Sequence, residues 1–322
     1  MTTDKAYEVI IVGGGPAGLT AGLYCNRALL KTVLIEKGLL GGQIAISKDV
    51  ENYPGVQGVM GFDLADKMIS HARSYGLQVL EEEVMEVIPG PDVHSVRLAS
   101  GEVLSAPALI LAAGSTARKL NVPGEGEYLG SGVSYCATCD GFFFRDKTVI
   151  VVGGGDAAAE EALHLSRLVK KVYIIHRRNE LRSAKILQHR VAAEPKVEII
   201  FSTVVAEIKG DGRAVASVAV ENTATGEKRE LAADGVFIAI GHIPNNQVVP
   251  AAVKMNDWGF AITDERCETS VPGIFAAGDL RKKYASQIVV AAADGCIAAL
   301  AAARYLQERN SGPGPSREGE RE

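Results

Sequence analysis

Two of the five cysteines in this 322-residue chain stand close together, in Cys136-Ala137-Thr138-Cys139-Asp140-Gly141. A pair with this spacing forms a redox disulfide, supplies half of a zinc site, or arises by chance. A structural zinc site needs a second ligand pair, and no further C-x-x-C or H-x-x-x-H occurs in the chain, which puts thiol–disulfide chemistry well ahead and leaves no metal to expect. A two-residue spacer favours a reducible bond and lets the second sulfur resolve a mixed disulfide quickly. Asp140, next to Cys139, is placed to donate or accept the proton that the exchange requires; the competing reading is a turn aspartate before Gly141.

Electrons must reach such a pair from a carrier, and two glycine fingerprints flank it. Gly13-Gly14-Gly15-Pro16-Ala17-Gly18 and Gly153-Gly154-Gly155-Asp156-Ala157-Ala158 each end a β-rich run and open an apolar helical stretch. There the chain must turn tightly and let a pyrophosphate reach free helix N–H groups, so Gly13, Gly15, Gly18, Gly153, Gly155 and Asp156 are candidate dinucleotide contacts. The second strand of each module ends on a residue that separates the two ligands. Glu36 follows Gly13 by 23 residues, and a carboxylate there accepts bonds from ribose hydroxyls but repels a 2′-phosphate, which suits FAD or NAD. The same interval after Gly153 reaches His176-Arg177-Arg178, with Arg182 a helical turn beyond, a cationic set suited to the 2′-phosphate of NADPH. The competing reading is a solvated basic helix start.

The duplicated strand–turn–helix–strand order predicts an α/β fold of two Rossmann-like, three-layer dinucleotide-binding domains. A further strand, Gly273-Ile274-Phe275-Ala276-Ala277-Gly278-Asp279, follows the complete second module, so the C-terminal part is expected to return to the first domain and make the second an insertion. The boundaries read as 1–116 for the first part of an FAD-binding domain, 117–246 for the inserted NADPH-binding domain carrying the cysteines, 247–309 for the remainder, and 310–322 for a disordered tail.

A formal net charge of −5 argues against nucleic acid as a partner. Apolar runs such as Val9–Val12 and Val149–Val152 are strand-length, short of the ~20 residues of a membrane helix, and Met1–Tyr7 lacks the pattern of an export signal. Sparse, odd-numbered cysteines fit a reducing, cytoplasmic setting, with Cys25, Cys267 and Cys296 read as buried free thiols.

Cys136–Gly141, read with Gly41-Gly42-Gln43, Glu51-Asn52-Tyr53-Pro54-Gly55, His176-Arg177-Arg178 with Arg182, Ala239–Asn245 and Ala276-Ala277-Gly278-Asp279, closely resembles low-molecular-weight thioredoxin reductases over roughly residues 7–307. The resemblance implies an FAD/NAD(P)-binding disulfide reductase fold and a homodimer whose NADPH domain rotates between two working positions. It adds Gln43, Asn52, Gly278, Asp279 and Gln287 to Gly13, Gly15, Gly18 and Glu36 as residues that hold FAD. It further implies that electrons pass from NADPH through the flavin to Cys139, with Cys136 attacking thioredoxin's disulfide. Two positions depart from the family: Ser286 precedes Gln287 where an arginine is common, and Ala157 replaces a serine hydroxyl near the second pyrophosphate. The alternatives are a related flavin disulfide oxidoreductase with another electron donor or a thioredoxin-like acceptor, and a non-enzymatic redox sensor.

Overall fold

The structure, a computed structural model, describes residues 7–47 and 49–311. The expected C-terminal tail lies almost wholly outside them. Two compact units divide the chain, one formed by the described residues up to Thr116 and from Ile243 onward, the other by Ala117–His242. The segments that pass between them, Ser115–Ala117 and His242–Pro244, pair with each other as short strands.

The first unit is built on a parallel sheet of β1 (Val9–Val12), β2 (Thr32–Glu36), β3 (Gln78–Glu81), β4 (Ala108–Leu111) and β10 (Ile274–Ala276), in the order β10-β4-β1-β2-β3. All but the edge strand β3, whose Gln78 and Glu81 are exposed, are apolar on both faces, as a parallel sheet covered on both sides requires. Alternate residues serve different layers. Val9, Ile11, Leu34, Ile110 and Phe275 face the helices α1 (Pro16–Arg27) and α4 (Ile288–Asn310); Ile10, Val12, Val33, Leu109 and Leu111 face an antiparallel meander of Val84–Ile88, His94–Leu98 and Val103–Ala106. Each fully buried branched side chain contributes roughly 1.5–3 kcal/mol.

The second unit repeats the plan with β5 (Val133–Ser134), β6 (Thr148–Val152), β7 (Lys171–Ile175), β8 (Val197–Ile200) and β9 (Gly235–Ile238), in the order β5-β9-β6-β7-β8 and parallel throughout. Val149, Val151, Val172 and Phe237 pack on the helices α2 (Ala137–Asp140) and α3 (Asp156–Ser166); Ile150, Val152 and Ile238 pack on the meander Thr203–Gly210, Val215–Asn222 and Lys228–Ala232. The three-layer α/β class expected from the duplicated pattern is the one observed.

Two sequence expectations need correction. Helix α4, at 23 residues, is long and apolar enough by length and composition to cross a membrane, unlike the strand-length runs singled out from the sequence. Its alanine face, including Ala291, Ala298 and Ala302, packs into the core against α1, and buried Asp294 interrupts it. The segment containing Arg182 is irregular rather than helical, the next helix beginning at Lys185. A backbone bond from Arg182 N–H to Gly154 O, 2.7 Å, ties it to the glycine turn instead.

Candidate active site

Cys136 and Cys139 are joined as a disulfide at the start of α2. The Cys139 N–H points at Cys136 Sγ, 3.2 Å away, and the Thr138 hydroxyl lies 3.4 Å from the same sulfur. Both donors stabilise negative charge, so Cys136 is the sulfur better suited to become a thiolate nucleophile. Asp140 is held by Ser134, whose Oγ lies 2.5 Å from Asp140 Oδ2, and the Cys136 N–H donates to that Oγ at 3.0 Å. Phe142 and Phe143, immediately beyond the pair, are 57% and 40% exposed while Phe144 turns into the core against Phe237. Of the remaining cysteines, Cys25 and Cys267 are buried, which pushes their thiols up to about 12, whereas Cys296 is partly exposed rather than buried as expected.

Helix α3 packs on α2 and brings Glu161 beneath the pair. Its Oε2 is buried without a hydrogen-bond partner among the described residues, and burial pushes the carboxyl from 4.5 up to about 7, the Ala137 amide offsetting part of the effect. Such a group is neutral in the folded state and ionised in the unfolded chain between these two values. Its protonated form therefore favours folding below pH 4.5, and the advantage is lost as pH rises through 7, where ionisation in the fold costs up to about 3 kcal/mol. Glu161→Gln is expected to melt a few degrees higher than the wild type at pH 8 and at the same temperature at pH 4.5; a calorimetric scan at both pH values checks this. Equal melting at pH 8 would contradict it.

The glycine turns are shaped for close approach by a ligand. A Cβ on Gly18 would run into the Gly13 carbonyl and one on Gly13 into Ala112, whereas Gly15 opens onto empty space. Gly153 and Gly155 repeat this contrast, Gly153 being closed off by Ala239 and Ala158. Neither α1 nor α3 has a side-chain N-cap; Pro16 at the head of α1 carries no N–H, but the amides that follow it, and those opening α3 from Asp156, remain available for an anion. Cradles of this kind fit the pyrophosphate of a dinucleotide.

At the carboxyl ends of the first sheet, residues far apart in the chain converge. Glu36 takes the Gly14 amide on Oε2 at 2.6 Å and the Gly38 amide on Oε1 at 2.7 Å, which fixes the carboxylate beside the turn. Gly42 lies against Gly15, next to exposed Gln43. Asn52 Nδ2 donates to Gln287 Oε1 at 3.1 Å across 235 residues of sequence. Gly278, at φ +70°, packs on Ala17, and its amide donates to Asp294 Oδ2 at 3.1 Å. Lys283 pairs with both Asp279, at 2.8 Å, and Asp294, at 3.4 Å, while Arg281 binds Asp294 at 2.7 Å. This ionic network was not recognised in the sequence; the one available signal was an aspartate within an alanine-rich helix.

In the second unit Arg177, Arg178 and Arg182 are exposed, and all three act on His176. His176 itself departs from the expected cationic set. Its ring packs against Gly154, it is 5% exposed, and burial first, then the three arginines, lower its pKa, so it is neutral. Asp156 Oδ1 accepts the Ala184 amide at 2.7 Å, tying the arginine loop to the start of α3.

The family model for pyridine nucleotide-disulphide oxidoreductases matches residues 7–295. The chain belongs to this family. Within it, the chain is 46% identical over 308 residues to the thioredoxin reductase of Bacillus subtilis, covering 96% of this chain and 97% of that one. It is 45% identical to that of Treponema pallidum, covering 95% and 98%. Among solved structures, the thioredoxin reductase of Streptococcus pyogenes superposes with a TM-score of 0.91 at 42% identity, covering 95% of this oxidoreductase and all of that chain. That of Giardia duodenalis gives 0.89 at 38%, covering 94% and 99%.

Proposed function

We propose that this oxidoreductase reduces the disulfide of thioredoxin with electrons from NADPH, through FAD and the Cys136–Cys139 pair. The observation that carries the reading is a redox disulfide seated against the dinucleotide-type helix α3 of a chain that holds a second, acid-marked dinucleotide turn. FAD, when bound, supplies two-electron chemistry between a nicotinamide and a disulfide.

Gly13, Gly15 and Gly18 cradle the FAD pyrophosphate, Glu36 binds the ribose, and Gln43, Asn52, Gly278, Asp279 and Gln287 line the rest of that site. The paired Asn52 and Gln287 amides and the lysine-held Asp279 support this assignment, because each polar group is already fixed in one orientation. Gly153, Gly155 and Asp156 form the NADPH turn, with Arg177, Arg178 and Arg182 around the 2′-phosphate and His176 packing the turn from below. Accordingly the unit up to Thr116 and from Ile243 onward is the FAD-binding one and Ala117–His242 the NADPH-binding one. Cys139 receives the electrons, Cys136 attacks the acceptor, and Asp140 manages the proton. Exposed Phe142 and Phe143 beside the sulfurs suit a protein acceptor rather than a small one. The working protein is a cytoplasmic homodimer; the uncovered Val289, Ile297 and Leu300 on α4 support association with a second copy.

The test is a titration of the purified protein with NADPH under anaerobic conditions, followed in the visible flavin band. Bleaching by NADPH and recovery on adding oxidised thioredoxin are expected. A colourless protein that takes up no added FAD, or a bleached one that thioredoxin does not restore, would refute the reading.

A further inference from the structure

We propose that Ser134 is a positioning residue for proton transfer at the dithiol, its hydroxyl satisfying the Asp140 carboxyl in both of its protonation states. The inference rests on the proposed role of Asp140. Ser134 is buried at the end of β5, held by its pairing with Phe237 on β9, so its hydroxyl has few alternatives. Three groups surround it: Asp140 Oδ2 at 2.5 Å, the Cys136 N–H at 3.0 Å and the Cys136 carbonyl at 3.3 Å.

A hydroxyl has one proton and two lone pairs, and these three neighbours use them differently in each state. With Asp140 ionised, the hydroxyl donates to the carboxylate and accepts the Cys136 N–H. With Asp140 protonated, the carboxyl donates to Oγ, the Cys136 N–H still donates to Oγ, and the hydroxyl proton turns to the Cys136 carbonyl. No polar group is stranded in either state, which lets a half-buried acid change charge without the usual cost of an unmade bond.

The reaction needs that freedom. The Cys136 thiolate attacks one acceptor sulfur, forming a mixed disulfide and releasing an acceptor thiolate. Cys139 then gives its proton to Asp140 and attacks Cys136, re-forming the 136–139 bond and expelling the second acceptor thiolate, and Asp140 returns its proton to a departing thiolate. Two electrons leave the dithiol and reduce the acceptor disulfide, and protons balance. Titratable groups on the packed neighbours are Tyr135 beside β5, bonded to Glu125, and Glu161 and His164 on α3, whose Asp156 and Glu160 are exposed; β9 brings none.

The experiment mixes pre-reduced holoenzyme with oxidised thioredoxin in a stopped-flow instrument between pH 5.5 and 9, for the wild type, S134A, D140N and the double variant. Flavin reduction by NADPH is read alongside. S134A is expected to slow the acceptor step about tenfold and shift its pH inflection, with flavin reduction unchanged. In the D140N background S134A is expected to add less than twofold. Full additivity, or an unshifted profile in S134A, overturns the proposal, because a merely structural serine behaves that way. If D140N alone matches the wild type at every pH, the Asp140 reading fails first; if D140N slows the step and S134A does not, only the Ser134 proposal falls. Should S134A not fold, the infrared difference spectrum of the wild type on reduction decides: an Asp140 carboxyl band, absent in D140N, at a hydrogen-bonded frequency supports the proposal, and one at a free-acid frequency overturns it.

Discussion

Cys139→Ser is expected to leave NADPH-dependent bleaching of the flavin band within about twofold of wild type and to lower thioredoxin reduction by roughly 10³-fold or more. A serine oxygen can neither form the disulfide nor accept an electron pair from a carrier, so the relay stops one step short of the acceptor. The fold tolerates the change. Cys139 is half-buried, a hydroxyl occupies less space than a thiol, and the Cys139 N–H bond to Cys136 Sγ comes from the backbone. Cys136 remains as a lone thiol able to form a mixed disulfide that nothing resolves, so a trapped covalent complex with thioredoxin should appear on a non-reducing gel. Steady turnover in this variant would refute the relay, whereas loss of flavin bleaching would show damage to the site rather than to the electron path.

The second large effect lies at the arginines. Replacing Arg177 and Arg178 together by alanine is expected to raise KM for NADPH on the order of 10²-fold and to change KM for NADH by no more than about twofold. Each exposed guanidinium that meets a phosphate contributes about 1.5 kcal/mol through charge-assisted bonds, and two together give about 3 kcal/mol, which is near 10²-fold. NADH lacks the 2′-phosphate and so loses nothing direct. Because both side chains are exposed and clear of the core, the fold should be indifferent to the change. Steady-state kinetics with both nucleotides checks it, and equal effects on the two would sink the assignment of this loop. Salt provides a companion signature: the wild-type preference for NADPH should narrow as ionic strength rises.

How much of this was legible in the chain depends on the range of the interaction involved. The redox pair was legible because both sulfurs lie within one turn of each other and their spacing alone limits the chemistry. The two dinucleotide modules were legible because a strand, a glycine turn and a helix are local objects, each with its own periodicity. Glu36 stood out because the interval from Gly13 is set by one turn, one helix and one strand of ordinary length. Burial was harder to read. His176 sits in the same short run as Arg177 and Arg178, yet its ring lies beneath Gly154, because it continues the buried end of β7 after Ile174 and Ile175, whereas the two arginines that follow are exposed. The apolar length of α4 was missed because alanine and glycine dilute its pattern, although they are what allow it to approach α1 closely: a Cβ on Gly295 would strike the Ala17 backbone.

The residues that tune the site are those whose partners come from elsewhere in the fold. Glu161 is one of two adjacent glutamates on a helix, and only the packing of α3 against α2 puts one of them under the dithiol. Ser134 looks like a strand residue until the chain turns back and delivers Asp140 to it. Asn52 and Gln287 meet across 235 residues of sequence, and Lys283 is drawn between two carboxylates contributed by a turn and a helix. Residue type and short spacing thus determined which carriers this protein uses and which sulfurs exchange, because electron carriers are recognised by local turns and thiol pairs by proximity in the chain. Tertiary structure alone decided which carboxyl is pushed up towards neutral pH, which histidine is held down by burial and which hydroxyl holds the acid, because those properties depend on desolvation and on partners that only close packing brings within hydrogen-bonding distance.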